Sequence, residues 1–89
     1  MTWTVRVHDA AAKQLKAIPP DRRLRVLDDI VALGEDPFRS LVKPLKGREH
    51  RGKFRKVSGR YRVIFKPTHA TRTVDVLAVL LRNEATYKT

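Results

Sequence analysis

The chain has 89 residues, of which 42% are hydrophobic and 7% aromatic, enough for the core of one small domain spanning residues 1–89. It contains no cysteine, which excludes disulfides and thiolate zinc sites. Its start lacks the apolar segment of a signal peptide, and no stretch approaches the roughly 20 apolar residues of a membrane helix. We therefore expect a protein of the cytoplasm with no membrane partner.

The formal net charge of +11 is distributed unevenly along the chain. Residues 1–38 contain six Lys/Arg and six Asp/Glu, and residues 73–89 contain two of each. Residues 39–72, which we call the basic segment, contain twelve Lys/Arg against Glu49 alone. Clustered cations favour a polyanionic partner, because neutralising phosphates releases counterions. A basic face that serves only solubility is the alternative.

The first half of the chain predicts a strand followed by two helices. Apolar and polar residues alternate over residues 2–8, as in a half-buried strand. Asp9 is expected to cap a helix that ends before Pro19, and Pro20 suits the first turn of a second helix. Gly34 then stands where a left-handed C-cap is expected. The second helix should bury its apolar residues at three- and four-residue spacing, which are Leu24, Leu27, Ile30, Val31 and Leu33.

The second half predicts a connection and three strands. Residues 35–51 contain two prolines, one glycine and no sustained period, which indicates a long connection. Strands over 53–57 and 61–66 flank a turn at residues 58–60, and Pro67 should end the second of them. Residues 73–81 are apolar on both faces over their second half, which is typical of a central strand. The fold class is therefore α+β in the order β-α-α-β-β-β, with a helical hairpin on one face of a small, mostly antiparallel sheet.

Alternation along the second hairpin strand predicts which side chains face the open side of the sheet. Tyr61, Val63 and Phe65 form the natural core set, which leaves Arg62, Ile64 and Lys66 on the open side. Lys53 and Arg55 join them if the register of the hairpin allows. Several cations on one open face would bind phosphate, since arginine can grip two phosphate oxygens at once and lysine supplies a point charge.

The common catalytic constellations are missing from the sequence. His8, His50 and His69 lack metal-ligand spacing, so neither a metal nor another cofactor is expected. Carboxylates are scarce where the positive charge lies, and no Gly-rich phosphate loop or nucleophile elbow is present. One chemistry needs neither metal nor histidine, namely cleavage of RNA by its own 2′-hydroxyl with fixed cations stabilising the developing charge.

Three segments carry a resemblance to a known family. GKFRKVSGRYRVIF (residues 52–65) resembles the strand–turn–strand signature of the RelE/ParE toxin superfamily, with its Gly-x-Tyr-Arg-(aliphatic)₂-aromatic run. DVLAVLLRNEATY (residues 75–87) resembles the family's last strand, and LVKPLKG (residues 41–47) resembles the connection that precedes its hairpin. The likeness covers nearly the whole chain.

The resemblance implies a RelE-type endoribonuclease that cuts messenger RNA in the decoding site of the ribosome by 2′-hydroxyl attack, neutralised by a cognate acidic antitoxin. It makes Arg62 the stabiliser of charge on the scissile phosphate and Arg82 a candidate acid or phosphate ligand. Lys53 and Arg55 match the two basic hairpin residues, with Lys53 the better base because arginine does not easily give up a proton. Tyr87 matches a tyrosine that stacks on or orients the substrate. The other cations expected to contact RNA are Lys43, Lys46, Arg48, Arg51, Lys56 and Lys66.

Two other functions fit the same sequence features. A ParE-like toxin of the same fold would inhibit DNA gyrase and cut nothing, although the joint presence of Arg62, Lys53, Arg55, Arg82 and Tyr87 favours RNA cleavage. A non-catalytic RNA-binding module would show salt-sensitive RNA binding and leave transcripts intact.

Overall fold

The computed structural model describes residues 2–39 and 42–82. Its elements are β1 (Thr4–Val7), α1 (Asp9–Lys16), α2 (Pro20–Leu33), β2 (Val42–Pro44), a 3₁₀ helix (Arg48–His50), β3 (Phe54–Ser58), β4 (Tyr61–Thr68) and β5 (Thr73–Leu81). The strands form one sheet in the order β1-β5-β4-β3-β2. β1 runs parallel to β5, and the other neighbouring strands are antiparallel. This is the predicted α+β fold with one additional strand.

The core lies between the two helices and one face of the sheet. The predicted core set is confirmed, since Val63 and Phe65 are fully buried and Tyr61 packs against them half-buried. β5 is central, as predicted, because it pairs with β1 on one side and β4 on the other. The helices and β5 complete the core with Ala11, Leu15, Ile18, Val26, Ile30, Leu33, Val74, Val76 and Val79.

α2 is rotated relative to the sequence prediction. It buries Val26, Ile30 and Leu33, whereas the predicted core residues Leu24, Leu27 and Val31 are exposed. Apolar residues occupy two sides of this helix, so periodicity alone does not choose between them. The rotation follows from a polar contact, because Ser58 Oγ of β3 donates a hydrogen bond to Asp29 Oδ2 over 2.5 Å. That bond turns the side of α2 that carries Asp29 towards the sheet.

The start of α1 and the end of α2 also differ from the predictions. Asp9 is the first residue of α1 rather than its cap, where its carboxylate still interacts favourably with the helix dipole. Gly34 has a φ of −68°, so the expected left-handed cap is wrong. Glycine suits the close approach of the chain there, because a Cβ would lie 3.1 Å from Val31 O, 3.2 Å from Val5 Cγ2 and 3.3 Å from Trp3 O.

Two predicted boundaries fail because of how the strands are paired. Residues 35–51 are not a plain connection, since β2 pairs with β3 at the sheet edge, where Pro44 can be tolerated. Pro67 does not end β4, which continues to Thr68. Beyond Phe65 the strand pairs only with β5, so one side of it can accommodate a residue without an N–H.

The helices of the described residues are short. α1 has 8 residues and α2 has 14, and neither is long and apolar enough to cross a membrane.

We predict that Gly34→Ala lowers the free energy of unfolding by about 1–2 kcal/mol, because two of the three atoms facing the new methyl group are backbone oxygens. Chemical denaturation followed by circular dichroism measures the change. Glu35→Ala at the exposed neighbouring position should stay within about 0.5 kcal/mol of the wild type. Equal stability of Gly34→Ala and wild type would show that this helix end is not tightly packed.

Candidate functional site

A groove of about 610 Å³ lies on the sheet face opposite the helices. Its floor is apolar and is formed by Ile64 of β4 with Leu77, Ala78 and Leu80 of β5. Its wall is formed by the end of β2, the chain between β2 and β3, and the start of β3. The face that the sequence predicts to be open is therefore partly covered. The wall residues are Pro44, Leu45, Lys46, Gly47, His50, Lys53 and Arg55.

The wall is a closed loop held by its own backbone. Leu45 N donates to Lys53 O over 3.0 Å, and Lys53 N donates to His50 O over 2.9 Å. Gly47 and Gly52 have φ values of 103° and 78°, in the region that favours glycine. These bonds and turns fix Lys46, His50 and Lys53 along one side of the groove.

Strand register places Arg55 beside the groove floor. Arg55 is opposite Lys43 on β2 and opposite Ile64 on β4, and Ile64 is in turn opposite Ala78. Residues paired in this way share one face of the sheet. Lys43 and Arg55 therefore stand next to each other on the groove face, with Arg55 half-buried and Lys43 exposed.

Arg62 lies in the next row of the same face, opposite Val57 on one side and Leu80 on the other. The predicted face is therefore confirmed, but the side chain is not open, since it is only 5% exposed. Its Nη1 donates to Tyr61 O over 3.2 Å, and its Nε is buried without a hydrogen-bond partner among the described residues. Arg55 lies diagonally across from it, at a typical distance of about 7–8 Å between α-carbons.

Arg62 is a buried cation without a counter-ion in the described part of the chain. The ion pairs found there join Asp75 to Arg6 and His8, and Glu49 to His50. Burying a charge and leaving a donor unpaired both raise the free energy of the folded state, and an anion would relieve both costs. The arrangement can therefore bind a phosphate or another compact anion.

The remaining predicted residues fall into three groups. Lys66, Arg48 and Arg51 are exposed, the first on the groove face of β4 and the other two on the wall loop. Arg82 is exposed, and its N donates to Arg60 O over 2.6 Å, which keeps it at the Arg62 end of the hairpin. Tyr87 lies outside the described residues.

Lys56 is the predicted RNA-contacting residue that the structure removes from this face. It is opposite Val63, which points into the core, and its side chain is only 7% exposed. The prediction for Lys56 is wrong because alternation along β3 turns it towards the helices, away from Arg55 and Val57.

Sequence reasoning missed His50, which lines the groove. In the sequence His50 stands out only as a possible metal ligand, and no group of three or more potential metal-ligating side chains occurs in the described residues. Its place in the basic segment, three residues before Lys53, is the signal that could have indicated it.

Comparisons with known proteins indicate the family of the chain. No protein-family model and no curated protein sequence matches the chain. The structure is similar to that of the toxin–antitoxin complex RelBE2 from Mycobacterium tuberculosis, with a TM-score of 0.82, 29% identity and coverage of 92% of this chain and 100% of that one. It is also similar to the archaeal RelE–RelB complex from Pyrococcus horikoshii, with a TM-score of 0.80, 26% identity and coverage of 94% and 99%.

The chain belongs to the RelE/ParE toxin superfamily. A YoeB/ParE toxin from Agrobacterium tumefaciens shares the fold as well, with a TM-score of 0.74, 14% identity and coverage of 90% of this chain and 99% of that one. This toxin therefore has the sheet, helices and element order of the RelE structures.

We predict that Arg62→Met leaves the free energy of unfolding unchanged or raises it by about 1–2 kcal/mol, because methionine keeps the packing between Val57 and Leu80 and removes a buried charge. Urea denaturation measures the effect. Arg60→Met, in the exposed turn before β4, is the matched control and should stay within about 0.5 kcal/mol of wild type. If Arg62→Met lowered the free energy of unfolding by more than about 1 kcal/mol, it would contradict the inference that the guanidinium has no counter-ion among the described residues.

Proposed function

We propose that this toxin is a ribosome-dependent endoribonuclease that cleaves messenger RNA in the decoding site, and that a cognate acidic antitoxin neutralises it. The observation that carries the proposal is the guanidinium of Arg62, which is buried without a counter-ion in the described part of the chain, next to a groove lined by Lys46, Lys53 and Arg55. A phosphodiester backbone supplies the anion that this arrangement lacks.

The proposed reaction is attack of the 2′-hydroxyl on the adjacent phosphorus. The 2′-oxygen–phosphorus bond forms, the bond from phosphorus to the 5′-oxygen breaks, and the products carry a 2′,3′-cyclic phosphate and a 5′-hydroxyl. Negative charge builds up on the phosphoryl oxygens in the transition state. A fixed guanidinium stabilises that charge strongly in a site from which water is excluded. Arg62 would take this role, and the side chains that now shield it would move aside when RNA binds.

The other roles follow from the family likeness and from the groove. Lys53 and Arg55 would hold the phosphates on either side of the scissile bond, with Lys53 the family's candidate base. Arg82 would act as a further phosphate ligand or as the acid that protonates the 5′-oxygen, and Tyr87 would stack on a base. Lys53 and Arg55 line the groove, and the backbone of Arg82 is held at the Arg62 end of the hairpin, which supports grouping them in one site.

The antitoxin proposal rests on charge and on the similar structures. The Mycobacterium and Pyrococcus structures are complexes of a RelE-type toxin with an antitoxin. The net charge of +11 here favours an acidic partner, since complementary charge speeds encounter and excludes wrong partners.

We predict that Arg62→Met reduces cleavage of ribosome-bound messenger RNA by roughly 100-fold or more, the usual effect of removing one charge-stabilising donor. Cleavage is measured by mapping 5′-ends of a transcript on purified ribosomes, where wild type should cut within codons in frame. Arg60→Met is the matched control and should retain wild-type cleavage. A substrate with a 2′-deoxy nucleotide at the cut position should resist wild type.

Three outcomes would overturn the proposal. Unchanged cleavage by Arg62→Met would remove Arg62 from the site. Inhibition of supercoiling by purified gyrase, without cut transcripts, would establish the ParE-like function. Salt-sensitive RNA binding with intact transcripts would leave a binding module.

We predict that Lys46→Gln lowers the slope of log affinity against log salt by about 0.7 for single-stranded RNA, the value for one lost phosphate contact. The change should not depend on base sequence, because a groove-wall lysine meets the backbone of the RNA. Fluorescence anisotropy with a single-stranded RNA oligonucleotide whose cut position carries a 2′-deoxy nucleotide, over a range of salt concentrations, measures it. Lys13→Gln, on the exposed side of α1, should leave the slope unchanged. Equal slopes for Lys46→Gln and wild type would place the RNA elsewhere.

A further inference from the structure

His50 is the imidazole that lines the cation-rich groove. It ends the 3₁₀ helix of the wall loop, and its backbone is fixed at both polar atoms, since its N donates to Gly47 O and its O accepts from Lys53 N. About 34% of its side chain is exposed. The loop therefore presents the ring to the groove in a defined position.

The two ring nitrogens of His50 have different surroundings. Nδ1 is buried and has no hydrogen-bond partner among the described residues. Nε2 lies 4.0 Å from Glu49 Oε1, and the Glu49 side chain is 68% exposed. Because Nδ1 is buried, Nε2 is the nitrogen that a substrate in the groove can reach. Glu49 is the sole carboxylate of the basic segment, and it stands beside this ring.

The proposed reaction needs a group that accepts a proton near neutral pH. Lysine and arginine side chains ordinarily hold their protons there, whereas imidazole side chains exchange protons between about pH 5 and 8. The other charged groups that line the groove together with His50 are Lys46 on the same loop and Lys53 and Arg55 towards β3. These cations suit phosphate binding and leave proton transfer to a different side chain.

We propose that His50 is the general base of this toxin, an inference that rests on the proposed endoribonuclease function. Nε2 takes the proton of the 2′-hydroxyl as the 2′-oxygen–phosphorus bond forms. The 5′-oxygen leaves with a proton from water, and the imidazolium then returns its proton to solvent. Glu49, whose Oε1 lies 4.0 Å from Nε2, acts as a positioning residue for the ring. Lys53 then serves as a phosphate ligand.

The test compares His50→Gln, Glu49→Gln and His69→Gln with wild type in cleavage of ribosome-bound messenger RNA between pH 5 and 8. His50→Gln should lose roughly 100-fold in rate, within the usual range for general-base catalysis, and should lose the rise in rate that wild type shows from pH 5 to 7. Glu49→Gln should be slowed less and retain that rise. His69→Gln, outside the groove, should behave as wild type. Binding of a 2′-deoxy oligonucleotide should be equal in all four proteins.

Three other outcomes would overturn the role of His50 as the base, and the last of them would also overturn the proposed function. If His50→Gln keeps the wild-type rate and pH profile while Arg62→Met is inactive, His50 is not the base and the endoribonuclease function stands. A lower rate with an unchanged pH profile also overturns the role as base, because it indicates a structural effect. If wild type cuts no RNA on ribosomes, both the function and this inference are wrong.

Discussion

The burial of the Arg62 guanidinium, which has no counter-ion among the described residues, is the constraint on which the groove face depends. Arg62 lies between Val57 and Leu80, with 5% of its surface exposed and its Nε without a partner in the described residues. A cation in such a place destabilises the fold unless an anion arrives. The neighbouring rows and the wall loop add Lys43, Lys46, Lys53 and Arg55 to the cations on this side of the sheet. In the proposed function, the stability lost at Arg62 is offset when a phosphate binds there.

The buried polar groups on the two faces of the sheet differ in whether they have hydrogen-bond partners. On the helix side, Ser58 is buried and donates to Asp29, which fixes how α2 sits on the sheet. On the groove side, Arg62 Nε and His50 Nδ1 are both buried without partners among the described residues. Buried polar groups are usually satisfied, so the unsatisfied Arg62 Nε marks a place where another molecule could complete the bonding. The helix side therefore holds the fold together, and we propose that the groove side binds the substrate.

Local patterns in the sequence predicted part of the structure, and tertiary contacts determined the rest. Alternation correctly assigned Arg62, Val63 and Phe65 to their faces, and the apolar run of β5 correctly indicated a central strand. The rotation of α2 was not predictable, because the helix has apolar residues on two sides and the Asp29 contact chooses between them. The burial of Arg62 depends on how β4 packs beside β3 and β5, and the place of His50 depends on the backbone bonds of the wall loop. No local periodicity encodes those contacts.

The central claim is that Arg62 is a phosphate ligand. The most direct test is to follow the Nε–H resonance of Arg62 by nuclear magnetic resonance while a 2′-deoxy oligonucleotide is titrated into the toxin. We expect this resonance to shift and to become protected from exchange, because Nε, which has no hydrogen-bond partner among the described residues, gains an acceptor. An unchanged Arg62 resonance at saturating oligonucleotide, with shifts at other groove residues, would contradict it.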